Sequence, residues 1–357
     1  MTAIDLAPTR PAGSGVKAAS LSPNQRAWAR FKRNRLGFLA MWLLLVLLLV
    51  SAGAELVSND RPLVAKYNGT LYFPIFKNYP EKTFGGDFTT PTDWLDPFIV
   101  GQLKKDGNWA IFPLNRSGAN TVNYFATAPN PAPPSQENWL GTDDRGRDMV
   151  ACLLYGFRVS MFFGIVLTVI AVSAGTLVGA IQGYFGGKVD LTGQRLIEIW
   201  GSMPQLYMLI IFSSIFVPSL GLLIVLLALF DWIGLSDYVR AEFLRNRGLE
   251  FVKAARAMGL SNGQIIRRHI LPNSLTPIIT FLPFRMSASI TALTSLDFLG
   301  LGVPPTTPSL GQLLYQGKQN LDAWWISATT FGVLVITLLL LQLVGDALRD
   351  AFDTRKS

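Results

Sequence analysis

Among 357 residues there is one cysteine, Cys152, and one histidine, His269. The first excludes an internal disulfide and a thiolate metal site. The second excludes H-E-x-x-H zinc chemistry, and a lone histidine in a helix is more often structural than part of a Ser-His-Asp arrangement. Charge is scarce too. Only 15% of residues are charged while 50% are hydrophobic, and a mean hydropathy of +0.35 is too high for an ordinary soluble protein. A phosphate loop is also missing. Gln182 stands where that loop needs its first glycine and Val189 where it needs Ser or Thr, so 183–189 reads as a tight glycine turn and the chain has no nucleotide site of its own.

What is present is a set of long apolar runs. Residues 36–57, 157–181, 196–216, 220–235 and 325–344 each approach the length that spans a hydrocarbon core. A sixth, 274–296, carries Pro277, Pro283 and Arg285, which a helix buried among neighbours tolerates. The fold class is therefore an all-α polytopic membrane protein with six transmembrane helices. The first span is read as a retained anchor rather than a signal peptide, since no small-x-small cleavage site closes it. Nineteen of the 31 Lys and Arg fall in the arm before the first span, in 183–195, in 240–272 and after the last span. That bias puts both termini and 240–273 in the cytoplasm, and the +8 net charge reads as topology and lipid-headgroup contact rather than nucleic-acid binding.

The chain divides into an N-terminal arm (1–35, partly disordered), a first span (36–58), an insert on the periplasmic side (59–140), a core of five spans (141–346) and a cytoplasmic tail (347–357). The insert is rich in aromatics, Pro and Gly and suits a small loop-rich subdomain with a few short strands that leans on the membrane domain or a partner. Two matches to the glycosylation sequon, at Asn68 and Asn115, are short enough to arise by chance. Asp143, Asp144 and Asp148 alternate with Arg145 and Arg147, which suggests solvated ion pairs at the membrane surface. The amphipathic stretch after them suits a helix lying at the outer interface before the second span.

Residues 240–273 interrupt this pattern with a basic segment. Phe251, Ala254, Ala255 and Met258 fall at i, i+3, i+4, i+7 and share a helical face. Gly259 followed by Leu260 suits a Schellman stop, and Ser261 with Gln264 a capping box for a second helix ending before Pro272. Two short helices outside the membrane suggest a docking device. A helix-turn-helix DNA reader would need a third helix and freedom from the membrane, so nucleic acid is not expected. Arg285, inside a span, should face a bundle interior or a water-filled path.

Lys253-Ala254-Ala255, Gly259 and His269-Ile270-Leu271-Pro272 resemble, in order and spacing, the EAA loop of membrane subunits of binding-protein-dependent ABC importers, with Lys253 in place of the glutamate. The stretches 140–148 and 295–308 resemble the dipeptide/oligopeptide branch. The insert 61–96, with 294–302 and 308–320, is similar to a narrower group, the second permease of Yej-type transporters for oligopeptides and the peptide–nucleotide microcin C. The resemblance implies a type I importer permease in the bacterial inner membrane, multi-pass and non-catalytic. Its partners would be a homologous permease, two ABC ATPase domains that bind ATP and magnesium, a periplasmic binding protein and a peptide substrate. It implies that Phe251, Lys253, Ala254, Ala255, Arg256, Met258, Gly259, Ser261, Ile265 and His269 engage the ATPase, and Arg285 is the one candidate for the translocation path. The rival readings are a proton-coupled secondary transporter, which would need more intramembrane carboxylates, and a membrane-anchored receptor or enzyme using the insert.

Overall fold

The computed structural model describes residues 23–105, 107–122 and 128–353. Of the arm 1–35, expected to be partly disordered, residues 1–22 lie outside them. Helix α1 (Pro23–Arg33) is amphipathic, with Ala27 and Phe31 buried one turn apart and basic residues on its other side. Asn34 breaks the chain and caps α2 (Arg35–Ala52) by accepting from the Gly37 N–H at 3.1 Å. Gly53 ends α2 short of the expected span, and a turn of helix, α3 (Ala54–Val57), follows.

The insert builds its own small core. Strands β1 (Val64–Tyr67) and β2 (Thr70–Tyr72) form a hairpin over Asn68-Gly69, both at positive φ as a two-residue type I′ turn requires. Helix α4 (Pro97–Leu103) starts on Asp96, which accepts from the Phe98 N–H at 2.7 Å. Strand β3 (Trp109–Ile111) completes an antiparallel sheet of order β2-β1-β3. Phe84 is the hub: Tyr67, Tyr72, Tyr79 and Trp94 meet its ring edge-on, Trp94 at 4.6 Å between centroids.

Helix α5 (Met149–Phe185) runs 37 residues, so at 1.5 Å per residue it outreaches a bilayer core of about 30 Å. It absorbs the amphipathic stretch expected to lie along the outer interface; Asp148 caps it directly, leaving no break for a separate helix. Gly186 and Gly187, at φ 64° and 54°, turn the chain into α6 (Gly187–Gly201), as the glycine pattern indicated. The expected continuous third span is broken: α6 and α7 (Gln205–Ile215) meet at 62°. Pro204 has no N–H to give the ladder and biases Met203 away from the helical region, so the break falls there. Helices α8 (Leu220–Asp231) and α9 (Ile233–Asn246) continue one another as a 27-residue span, carrying the fourth membrane helix well past residue 235.

Next come α10 (Glu250–Ala257), α11 (Asn262–Ile265), one π-helical turn over Ile266–Ile270, and α12 (Leu271–Phe298). The second helix of the loop, expected to stop before Pro272, runs through instead. The wider π turn lets Pro272 begin a new helical register where no intrahelical N–H is needed. Helices α13 (Leu310–Gln319) and α14 (Trp324–Phe352) close the chain. Among the described residues five helices are long and apolar enough to cross a membrane, and six spans result if α6 and α7 form one broken span.

The bundle packs around α5 and α12, with α14 joining α2, α12 and α13. The close and extended packing of α5 on α9 follows from Gly175, Gly179 and Gly183 at four-residue spacing. A Cβ at Gly179 would lie 2.9 Å from the Arg240 backbone nitrogen, and one at Gly183 2.6 Å from the Arg240 carbonyl oxygen. Small residues at this spacing let helix backbones touch. The spacing is visible in the sequence, but the meeting with α9 gives it its meaning.

Candidate functional site

The loop from α9 to α12 is clamped onto the bundle by one apolar stripe and shows another to its surroundings. Val252 and Ala255 on α10, with Ile265 and Ile270, are buried against Ala180 and Tyr184 of α5 and Val239 and Phe243 of α9. Phe251 and Met258 point away, 41% and 71% exposed, with Ala254 between them. The face expected from spacing therefore divides. Phe251, Ala254 and Met258 remain outward, while Ala255 turns in. Ala255 and Ile265 are fully buried, so they cannot touch a partner; they hold the outward face in place. Val252, which spacing did not single out, belongs with them at i, i+3.

The turn chemistry matches the residues. Gly259 sits at φ 79°, and the Leu260 N–H reaches the Ala255 carbonyl at 3.2 Å, the outer bond of a Schellman ending. The Ser261 N–H reaches the Gln264 Oε1 at 3.0 Å while the Ser261 hydroxyl accepts from the Gln264 N–H, so both halves of the capping box form. Lys253 pairs with Glu250 at 2.8 Å on the exposed side of α10. Arg256 lies over the Tyr184 ring, 5.8 Å from its centroid, rather than projecting with Phe251. His269 is half-buried, and its carbonyl accepts from the Asn273 side chain at 2.8 Å.

At the insert end, the two other stretches singled out in the sequence come together. The Asp143 carboxylate accepts from the Arg147 Nε at 2.8 Å and from the backbone N–H groups of Arg145 and Arg147. Asp143 is 0% and the Arg147 side chain 4% exposed, so this pair is buried, whereas Asp144 and Arg145, 3.9 Å apart with both side chains partly exposed, form the solvated pair expected. Glycines at positive φ, Gly141 and Gly146, fold the segment back on itself and place it against α13 and the 299–308 loop. Arg145 donates to the Pro305 carbonyl at 2.8 Å, and Gln316 reaches Asp143 at 3.4 Å. On the other side Asp297 accepts from the Val303 N–H at 2.8 Å and from the Ser309 hydroxyl, shaping the loop that carries Pro305. Asp148 accepts from Asn115 at 2.7 Å and Asn138 at 2.9 Å, which ties the insert to α5. Asn115 is thus a buried hydrogen-bond donor, which removes its sequon from the surface. Asp144 stands partly exposed beside this network; burial, then the neighbouring Asp143 charge, pushes its carboxyl above the usual range.

Arg285 is not a lone charge in the bundle. It ion-pairs with Asp231 at 2.8 Å and also donates to the Asp231 carbonyl, where the α8–α9 junction frees a backbone acceptor. Two atoms of the pair, the Asp231 Oδ2 and the Arg285 Nε, are buried without a partner. Among the described residues no cluster of His, Cys, Asp and Glu has metal-site geometry.

A membrane bundle with one rigidly presented, partly apolar loop has clear relatives. Residues 175–357 match the family of binding-protein-dependent transport system inner membrane components, and residues 22–78 match the N-terminal TM domain of oligopeptide transport permease C. The inner membrane ABC transporter permease protein YejE of Escherichia coli K12 is 48% identical over 94% of this chain and 99% of its own.

The chain belongs to this permease family.

The peptidoglycan transport system permease protein YejE of Agrobacterium fabrum is 44% identical over 98% of each chain. The dipeptide transport system permease protein DppC of Bacillus subtilis is 28% identical over 95% of this chain and 88% of its own. The permease is thus a multi-pass inner-membrane subunit of an ABC importer, a family whose members work with a second permease and with ATPases. In it, the loop between α9 and α12 is the segment whose residues resemble the EAA loop.

Proposed function

We propose that this permease couples ATP hydrolysis in separate ATPase subunits to peptide import, and that α10 is its coupling helix. The observation that carries the reading is the split of α10 into a fully buried stripe, Val252 and Ala255, and an exposed one, Phe251, Ala254 and Met258. A helix held on one side and left apolar on the other transmits force to whatever grips it. Ala254 allows close approach, while Phe251 and Met258 fill a partner's groove. In this reading both termini and the loop face the cytoplasm, the insert faces the periplasm, and the architecture is the type I importer permease. The chain holds no cofactor; ATP and magnesium belong to two ATPase domains. A periplasmic binding protein delivers substrate to the insert end, where Arg145, 45% exposed and anchored on Pro305, stands beside the buried Asp143–Arg147 pair. Substrate crosses between this chain and a homologous permease as two packed arrangements of the bundle interchange, each ligand favouring one of them.

Peptides are the substrate class supported by the oligopeptide and dipeptide names of the relatives, with peptide–nucleotide compounds of the microcin C kind as a special case. The Agrobacterium relative's name favours a second reading, peptides carrying peptidoglycan sugars. The test is uptake by the complete transporter carrying Phe251→Asp and Met258→Asp. We expect normal insertion, loss of ATPase co-purification and loss of peptide uptake; retained ATPase and uptake would overturn the coupling assignment. Competition of labelled peptide uptake by a muropeptide against an unmodified tripeptide separates the two substrate classes.

A further inference from the structure

Beneath the coupling helix lies a cavity that the transport reading does not use. It holds about 310 Å³ and is lined by Tyr184 and Phe185 at the end of α5, Arg247 and Gly248 after α9, Arg256 on α10, and Asn262 at the start of α11. Its charge is of one sign. Among the described residues no carboxylate lies within ion-pairing distance of Arg247 or Arg256. The neighbouring acid, Asp190, is engaged by Arg240, whose second nitrogen reaches it at 2.7 Å.

The donors are pre-arranged. Arg247 spends one N–H on the Tyr184 carbonyl at 3.3 Å, one of the acceptors left over at the C-terminus of α5, which leaves most of its fork free. Gly186 permits this: any Cβ there would collide with the Arg247 guanidinium. The Tyr184 hydroxyl donates to the Asn262 Oδ1 at 2.7 Å, so the Asn262 amide group remains to donate. Two guanidiniums and an amide around one small space suit the oxygens of a phosphate ester.

Location selects the source of that phosphate. Phe185, half exposed, lies four residues past the end of the apolar run 157–181, about 6 Å of helix, so the cavity opens just outside the hydrocarbon boundary. Arg256 follows Phe251 by five residues, about 140° around the helix, so it faces away from the Phe251–Met258 side that a protein partner would grip. Basic pockets between membrane helices at such a boundary hold lipid headgroups.

We propose that the cavity formed by Arg247, Arg256, Asn262 and Tyr184 binds the phosphate of an anionic phospholipid headgroup. An occupied site bridges α5, α9 and α10 and so fixes the base of the coupling helix. The test uses the complete transporter in nanodiscs of phosphatidylcholine with a minor fraction of phosphatidylglycerol, with retained lipid counted by native mass spectrometry. Arg247→Gln with Arg256→Gln should retain phosphatidylglycerol about 30-fold less tightly, about fivefold for each of the two charges lost. Arg195→Gln, which removes an exposed charge elsewhere, should retain it as before. Equal retention by the double variant would overturn the proposal. So would displacement of the lipid by millimolar inorganic phosphate alone, which marks a free-anion site, or retention seen only after the ATPases are stripped from the complete transporter, which marks a contact for the protein partner. If the glutamine variant does not assemble, retention by the wild-type transporter at rising salt decides, and preference for phosphatidylglycerol that salt leaves unchanged overturns the assignment.

Discussion

The Arg285 guanidinium lies 2.8 Å from the Asp231 carboxylate, joining the middle of α12 to the seam between α8 and α9. Fifty-four residues separate them in sequence, and each is costly in a bilayer without the other. Removing one partner strands the opposite charge. Arg285→Gln or Asp231→Asn alone should lower stability by a good part of the ~3–5 kcal/mol seen for breaking buried pairs, reduced by the pair's partial exposure. Combining the two should recover much of it. Thermal unfolding of the four proteins of this cycle in one detergent measures the coupling.

Asp144 gives a pH dependence with a defined sign. Its folded carboxyl titrates above the usual range, so ionising it costs the folded state more than the unfolded one. That penalty is absent at pH values below the unfolded titration and grows as pH rises through the folded one. Asp144→Asn should therefore raise the melting temperature at pH 7, and the gain should shrink as pH falls toward 4. A gain that is constant with pH would point to packing instead of charge.

Gly179 should not accept a side chain. With the Ser236 carbonyl and the Arg240 nitrogen against it, Gly179→Leu must push α9 off α5, at an overpacking cost of about 1–3 kcal/mol or more. Gly221, which has open space around it, should accept alanine with a change within the ordinary propensity range. Detergent melting curves of the two variants compare them directly.

If the proposed coupling role holds, the two stripes of the loop between α9 and α12 separate stability from coupling. Ile265→Ala removes a fully buried side chain and should cost about 2–5 kcal/mol. Met258→Ala removes an exposed one and should change stability by no more than about 0.5 kcal/mol. Stimulated ATPase activity of the assembled transporter should nonetheless fall with Met258→Ala. A melting shift equal to that of Ile265→Ala would place Met258 in the core.

Much of the loop between α9 and α12 is legible in the amino-acid order, because its signals are local. Gly259 needs a left-handed residue and no other type reaches φ 79° as cheaply; Ser261 and Gln264 cap a helix across three residues. Periodicity places Phe251, Ala254 and Met258 on one side but wrongly adds Ala255 to them. Spacing gives angles around a helix, and only the neighbouring α5 and α9 decide which angle is covered. The buried state of Asp143 and Arg147 is hidden for the same reason: the 299–308 loop and α13, more than 150 residues away, exclude the water that alternating charges suggest.

The sequence by itself determined a basic membrane chain of six apolar runs with a single cysteine, a single histidine and no phosphate-loop pattern, and the spacing that marks its family. These rest on composition and on distances along one chain, which folding does not alter. Tertiary structure alone decided that Arg285 has Asp231, that Pro204 bends a span while Pro272 does not end a helix, and that Arg247 and Arg256 share a cavity with no carboxylate. Those depend on which helices meet, and a low-dielectric bundle makes each such meeting of charges or backbones count far more than it would in water.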